Sequence, residues 1–141
     1  MKLYPLFDET AYPTDALIAR VAAGEPIEIG DEFEQVDLNH LLARGNPYAM
    51  LIRVRGDSMS DEIRDNDWVL IDRSREARPG DIVLARLDGG YTIKRHKLND
   101  ARGRGGLYLV PRNDLYDTHR VTEDDGFDII GVVTHIIHET V

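Results

Sequence analysis

Ile82 Val83 Leu84 Ala85 Arg86 Leu87 Asp88 Gly89 Gly90 Tyr91 Thr92 Ile93 Lys94 Arg95 His96 is the stretch whose reading decides the fold. An apolar run, a turn of Asp, Gly and Gly, and a second run rich in β-branched and aromatic residues read as a β-hairpin. The two glycines permit the positive φ that a tight hairpin needs, which fixes the face each following residue presents. Period two then puts Thr92, Lys94 and His96 on one face and Tyr91, Ile93 and Arg95 on the other. Alternation alone leaves open which of the two faces is buried.

The same signals recur on both sides of the hairpin. Short runs rich in Val, Ile, Leu and Tyr at 48–54, 68–72, 81–87, 91–96, 107–111 and 128–138 read as strands, punctuated by turns at Asp65–Asn66, Pro79–Gly80 and Arg112–Asn113. One short helix is expected over 37–44, where Asp37 caps, Leu38, Leu41 and Leu42 share a face, and Gly45 and Asn46 end it. A mainly β domain of coiled sheets with a barrel-like portion follows. With 141 residues the chain is read as one such domain, long enough to bury roughly two thirds of its unfolded surface. Residues 1–30 differ: Pro5, Pro13, Pro26, Gly24 and Gly30 mark a flexible N-terminal arm, in which only residues 16–21 suit a short helix or strand. The β domain is taken as 31–141.

Chemistry is carried by Val54 Arg55 Gly56 Asp57 Ser58 Met59, a serine on a glycine-led turn, and by Lys94, 36 residues on. A serine hydroxyl needs its proton removed, and a lysine of ordinary pKa near ~10.4 is charged at neutral pH and cannot accept one. Full burial lowers a lysine by roughly 3–5 pKa units, which turns the amine into a competent base. The competing account is a serine on a surface turn and a lysine at a strand end with no chemistry between them. The peptide N–H groups of Asp57 and Ser58 are candidates to hold an oxyanion, with Gly56 allowing close backbone approach. Met59 reads as core filler beside them.

The ordered set Gly56 Asp57 Ser58 Met59, then Asp65 Asn66 Asp67 Trp68 Val69 Leu70 Ile71 Asp72, Pro79 Gly80 Asp81 Ile82 Val83, and Thr92 Ile93 Lys94 Arg95 resembles the LexA/UmuD group of self-cleaving Ser/Lys peptidases. The likeness runs from about Glu25 to the C-terminus. It implies a LexA- and signal-peptidase-like fold with Ser58 as nucleophile and a buried Lys94 as base. It also implies self-cleavage at a small residue followed by Gly, here Ala23–Gly24 within Val21 Ala22 Ala23 Gly24 Glu25 Pro26. On composition alone that segment reads as a linker. The family's activator is the RecA filament on single-stranded DNA, and its UmuD branch joins a Y-family polymerase of UmuC type as a cleaved homodimer. An arm of 30 residues is shorter than a three-helix DNA reader, which favours the UmuD-like branch over the LexA-like one. A stand-alone peptidase acting on other proteins, and a binding module with a vestigial dyad, are the rival readings.

This chain departs from the family pattern in four places. Ser60 Asp61 Glu62 Ile63 Arg64 lacks a glycine pair common in relatives, and Asn66 stands at a turn position where glycine is usual, a conformation Asn tolerates. Trp68 is a further difference, read as a core or dimer-contact aromatic. Residues 100–106 should lengthen one hairpin.

Charge and composition narrow the alternatives. A net charge of −9, from 17 basic and 26 acidic side chains, works against long-range attraction to a phosphate backbone. Direct sequence-specific DNA binding is therefore not expected. Lys94, Arg95, His96, Lys97, Arg102 and Arg104 form a local basic cluster, read as a solvated hairpin because Gly103, Gly105 and Gly106 mark a turn and no aromatics interleave. No cysteine is present, and the histidines are scattered, with His135 and His138 three apart on a strand and so on opposite faces. No metal or cofactor is expected. No segment reaches the ~18–20 apolar residues of a membrane helix. Val21 Ala22 Ala23 resembles a signal-peptidase site, but Asp8, Glu9, Asp15 and Arg20 interrupt any apolar region before it. The chain is read as cytoplasmic, in a bacterium. The nearly unbroken apolar run of 129–138 must be central in the core or paired across a homodimer, since an open edge of that kind aggregates.

Overall fold

Leu87 pairs with Gly90 across a two-residue loop, and the residues of positive φ are Asp88 at 48° and Gly89 at 80°. Gly90 already lies in the strand, so the left-handed positions fall on Asp and Gly, the pair a type I′ hairpin favours, and not on the two glycines. Asp tolerates the left-handed region because its short polar side chain bonds locally. The amide of Asp88 is held by the Asp125 carbonyl at 2.8 Å, which ties the turn to the rest of the chain.

The computed structural model describes Leu3–Pro5, Asp15–Ile18 and residues 34–141, with side chains from Asp37 onward. The elements are β1 (Leu3–Pro5), β2 (Asp15–Ile18), β3 (Glu34–Asp37), α1 (Leu38–Ala43), β4 (Ala49–Arg53), β5 (Trp68–Asp72), β6 (Ile82–Leu87), β7 (Gly90–Asn99), β8 (Gly105–Val110), β9 (His119–Arg120) and β10 (Asp128–Ile137), with one turn of 3-10 helix at Glu123–Asp125. They build a mainly β fold, as expected from the sequence. Eight strands form one sheet in the order β1, β4, β5, β10, β6, β7, β8, β9, while β2 and β3 pair separately. All of these strand pairings are antiparallel. Two described pieces of the N-terminal arm are thus strands, β1 against β4 and β2 against β3.

The apolar run of β6 explains its place. Ile82 and Leu84 belong to one buried cluster, with Ile52, Val54, Met59, Ile63, Val69, Ile71 and Ile93, and Val83 and Ala85 to a second, with Leu109 and Val132. With side chains alternating across the sheet, a strand apolar at every position is stable only when covered on both faces. The apolar run of β10 is central too, taken up by β5 on one side and β6 on the other, so its hydrogen bonding needs no second copy. Its register slips between Ile129 and Gly131 and again between Val133 and His135. These bulges break simple alternation along the run. His135 Nδ1 lies 2.9 Å from Thr134 Oγ1, and His138, beyond the strand, lies with Nδ1 2.6 Å from Asp67 Oδ1.

The helix begins where Asp37 accepts the Asn39 amide at 2.9 Å, and ends in left-handed residues at Arg44 and Gly45. Its leucines do not act as one buried stripe. Leu42 packs on Ala43, Ala49 and Leu70, while Leu38 and Leu41 are exposed. In the β7–β8 hairpin the Asp100 side chain accepts the amides of Arg102 and Arg104, organising the extended turn expected there. Trp68 is half-buried and stacks under the Arg53 guanidinium, 5.0 Å from its ring centre. Among the described residues no helix is long and apolar enough to cross a membrane.

Gly131 gives a direct test of this packing. A Cβ built there would sit 2.5 Å from Ile71 Cγ2 and 2.9 Å from the Asp72 carbonyl oxygen, whereas at Gly90 its nearest neighbour is the Leu87 carbonyl at 3.5 Å. Gly131→Ala should destabilise the fold by about 1–3 kcal/mol in urea unfolding, the usual cost of overpacking. Gly90→Ala should leave it within about 0.5 kcal/mol of wild type.

Candidate active site

Ser58 sits in an excursion of the chain between β4 and β5. The ladder continues past both strands, with the Val54 amide donating to the Asp67 carbonyl at 2.8 Å and the Asn66 amide to the Val54 carbonyl at 2.9 Å. Residues 55–65 loop out from this neck. Gly56 has φ of 98°, open to glycine and rarely to any other residue, and its amide donates to Asp65 Oδ1 at 2.8 Å. No described atom lies within 4 Å of a Cβ built on Gly56. Gly56 thus supplies a conformation that few other residues adopt, and the space where a side chain would stand is open among the described residues. Asn66 does adopt the left-handed conformation, at φ 74°. Met59 and Ile63 anchor the loop as fully packed members of the first core cluster.

Lys94 approaches from β7. It pairs with Val83, and cross-strand partners share a face, so its side chain stands on the face of Val83 and Ala85 while Ile93 enters the opposite cluster. This resolves the ambiguity that alternation leaves. Lys94 Nζ reaches Ser58 Oγ at 2.8 Å, Thr92 Oγ1 at 2.9 Å and the Ile93 carbonyl at 3.1 Å. Burial disfavours the ammonium form and holds the Lys94 pKa below its ordinary 10.5.

The three contacts match a neutral amine. Such an amine has two N–H donors and one lone pair, and the Ile93 carbonyl can only accept. Donation to Ile93 and to Thr92 Oγ1 leaves the lone pair aimed at the Ser58 hydroxyl proton. A charged ammonium also fits, donating to all three oxygens, so the site satisfies its hydrogen bonds in both protonation states. The sequence placed Thr92 on the same face as Lys94 without giving it this task.

Two braces hold the serine loop against β7 and the segment after β8. Arg95 donates from Nη2 to both Glu62 oxygens, at 2.5 and 2.6 Å, and from Nη1 to the Gly80 carbonyl at 2.5 Å. The amides of Arg112 and Asn113 both donate to the Ser58 carbonyl at 2.9 Å, and Asn113 Nδ2 donates to the Asp57 carbonyl at 3.1 Å. The Tyr116 hydroxyl hydrogen-bonds Asp57 Oδ1, and the carboxylate pushes the phenol pKa up. The sequence marked Arg112–Asn113 only as a turn. Contacts across more than 50 residues leave no local trace in it.

The amides of Asp57 and Ser58 find no acceptor among the described residues. The basic cluster is dispersed: Lys94 is on Ser58, Arg95 on Glu62, Arg104 on Asp100 at 2.6 Å, and His96 is buried with Nδ1 3.2 Å from the Arg78 carbonyl. Ala23 and Gly24 lie outside the described residues.

The structure thus holds a half-buried lysine amine against a serine hydroxyl on a mainly β scaffold. The chain matches the Peptidase S24-like family model over residues 16–134 and belongs to that family. It is 42% identical over 126 residues to LexA repressor 1 of Xanthomonas oryzae pv. oryzae, an alignment covering 87% of this chain and 60% of that protein. LexA repressor 2 of Pseudomonas putida is 44% identical over 120 residues, 82% of this chain and 56% of that protein. The LexA repressor of Streptomyces coelicolor is 37% identical over 122 residues, 86% of this chain and 49% of that protein. The chain thus spans about half to three fifths of the length of these curated relatives.

The lowered pKa of Lys94 has a stability signature. Between the folded-state pKa and 10.5 the unfolded chain binds the proton that the folded chain has lost, so stability rises with pH across that window. The unfolding free energy of wild type relative to Lys94→Met should therefore climb as pH is raised toward 10.5. A flat or falling difference in urea titrations would show that the amine is not desolvated.

Proposed function

We propose that this chain is a self-cleaving peptidase in which Ser58 is the nucleophile and Lys94 the general base, cutting its own Ala23–Gly24 bond. The observation that carries this reading is the 2.8 Å contact of Lys94 Nζ with Ser58 Oγ, made by an amine whose burial favours its neutral form. Neutral Nζ takes the hydroxyl proton as Ser58 Oγ attacks the Ala23 carbonyl carbon. The Asp57 and Ser58 amides hold the resulting oxyanion. The bond to Gly24 breaks, the new amino group leaving with the proton from Lys94, and water activated by the same amine releases Ala23 from Ser58. The family match begins at residue 16 and so includes this bond, and the small residues flanking it let an extended backbone lie against the site.

Tethering makes such a weak recognition sequence sufficient, because an intramolecular substrate has a high effective concentration. Control then rests on how often the arm occupies the site, and an activator that binds the occupied state raises the rate by shifting that population. By the UmuD-like resemblance the activator is a RecA filament on single-stranded DNA. The processed homodimer then serves as regulatory subunit of an error-prone Y-family translesion polymerase of UmuC type in the bacterial DNA-damage response. A net charge of −9 fits a protein that reaches DNA through such partners. The name shared by the relatives, LexA repressor, favours one second reading, in which the cut ends repression of transcription. Copurification of the cleaved form with a Y-family polymerase supports the first reading, and loss of operator binding on cleavage supports the second.

Incubated alone at rising pH, the purified chain should lose its first 23 residues, seen by mass spectrometry, with a rate that rises and levels off at a midpoint below 10.5. Lys94→Ala should slow the cut by about 100- to 10,000-fold, the range of a general base, and Ser58→Ala should abolish it. RecA, ATP and single-stranded DNA should accelerate it. A folded chain that stays whole under all these conditions would leave only a binding module. Cleavage of added proteins with the arm untouched would indicate a stand-alone peptidase.

A further inference from the structure

The segment that follows β8 touches the serine loop at its backbone. A trans peptide is planar, with its C=O and N–H pointing in opposite directions. Whatever grips the Asp57 carbonyl therefore also sets the direction of the Ser58 N–H. That carbonyl accepts from Asn113 Nδ2 at 3.1 Å and from the Ser60 amide at 3.1 Å. The next carbonyl, that of Ser58, accepts from the Arg112 and Asn113 amides at 2.9 Å. Asn113 is itself fixed, because its Oδ1 accepts the Leu115 amide at 3.0 Å and its own carbonyl accepts the Tyr116 amide at 3.1 Å.

We propose that Asn113 is a positioning residue for the cleavage: its side-chain amide holds the Asp57 carbonyl, and so aims the Ser58 N–H at the oxyanion that forms on the attacked carbonyl. This rests on the reading of Ser58 as nucleophile. Asn113 touches neither the hydroxyl nor the amine, so it leaves proton transfer alone and acts only on charge stabilisation. A hydrogen bond from a preorganised donor grows stronger as the carbonyl oxygen becomes an oxyanion, and that gain vanishes when the donor swings out of line.

Asn113→Asp separates the two jobs of the side chain. Its carboxylate still accepts the Leu115 amide but has no N–H for the Asp57 carbonyl. Asn113→Ser is the neutral companion, short of reach to Asp57 while retaining a local acceptor. Self-cleavage of the full chain is followed across pH beside wild type and Ser58→Ala, with Tm measured for each. The expected result is a fall of about 10- to 100-fold in the high-pH plateau rate of both variants, the scale of a misaimed donor. Tm is expected to be unchanged, and the midpoint of the Asn113→Ser profile should coincide with that of wild type.

Plateau rates equal to wild type in both variants would overturn the role of Asn113 and leave the Ser58 and Lys94 reading intact. A loss that follows a lowered Tm, and is recovered on cooling, would make Asn113 merely structural and overturn it as well. A loss explained wholly by a shifted midpoint would mean that Asn113 acts through Lys94, which equally overturns the positioning role. A folded wild type that never cuts sinks the parent reading, and this role with it.

Discussion

An amine that burial pushes toward neutrality, held against a hydroxyl, is the constraint around which the molecule is arranged. Lys94 loses water on entering the sheet and recovers hydrogen bonds from Ser58, Thr92 and Ile93. A lysine half-buried in this way is a liability in a purely structural protein, because the charged form is disfavoured and the long side chain loses rotamer freedom. Here the serine loop meets that liability, and the segment after β8 grips the backbone of the loop. Arg95 beside it pairs with Glu62, and this ion pair also closes the serine loop onto β7.

Placement of Ser58 depends on a division of labour within its loop. Met59 and Ile63 supply apolar anchorage, Gly56 supplies a conformation few other residues adopt, and Asp65 and Asp67 supply acceptors for local amides. None of these touches Lys94. They fix where the hydroxyl is, while the opposite strand fixes what it meets. A reactive group carried on a loop can reach the accuracy of one carried on a strand when the loop is anchored at this density.

Much of this was legible in the sequence because its cues are local. Strand positions followed from apolar runs and turns, the hairpin from Asp88 and its glycines, and the serine and lysine from the order of short motifs. The places where reading fell short have a common physical origin. Which glycine of Gly89 and Gly90 takes the left-handed position depends on where strand pairing resumes. Leu38 and Leu41 share a helix face with Leu42, yet they stay partly exposed while Leu42 packs on Ala43, Ala49 and Leu70. The bulges of β10 interrupt a period that the sequence carries unbroken, and the grip of Asn113 on Asp57 arises only once distant segments have been brought together. Alternation could not choose a face for Lys94, whereas pairing with Val83 does.

The position of β10 bears on how the elements carrying Ser58 and Lys94 are brought together. In the sheet, β4 and β5 flank the serine loop, β6 and β7 carry the lysine hairpin, and the strand hydrogen bonding between these two blocks runs through β10, which lies between β5 and β6. A growing polypeptide leaving the ribosome thus holds both blocks for some time without the strand that bridges them. Pairing of strands this far apart in sequence closes long loops, so the sheet that carries Ser58 and Lys94 belongs to the slow-folding, high-contact-order class of topologies.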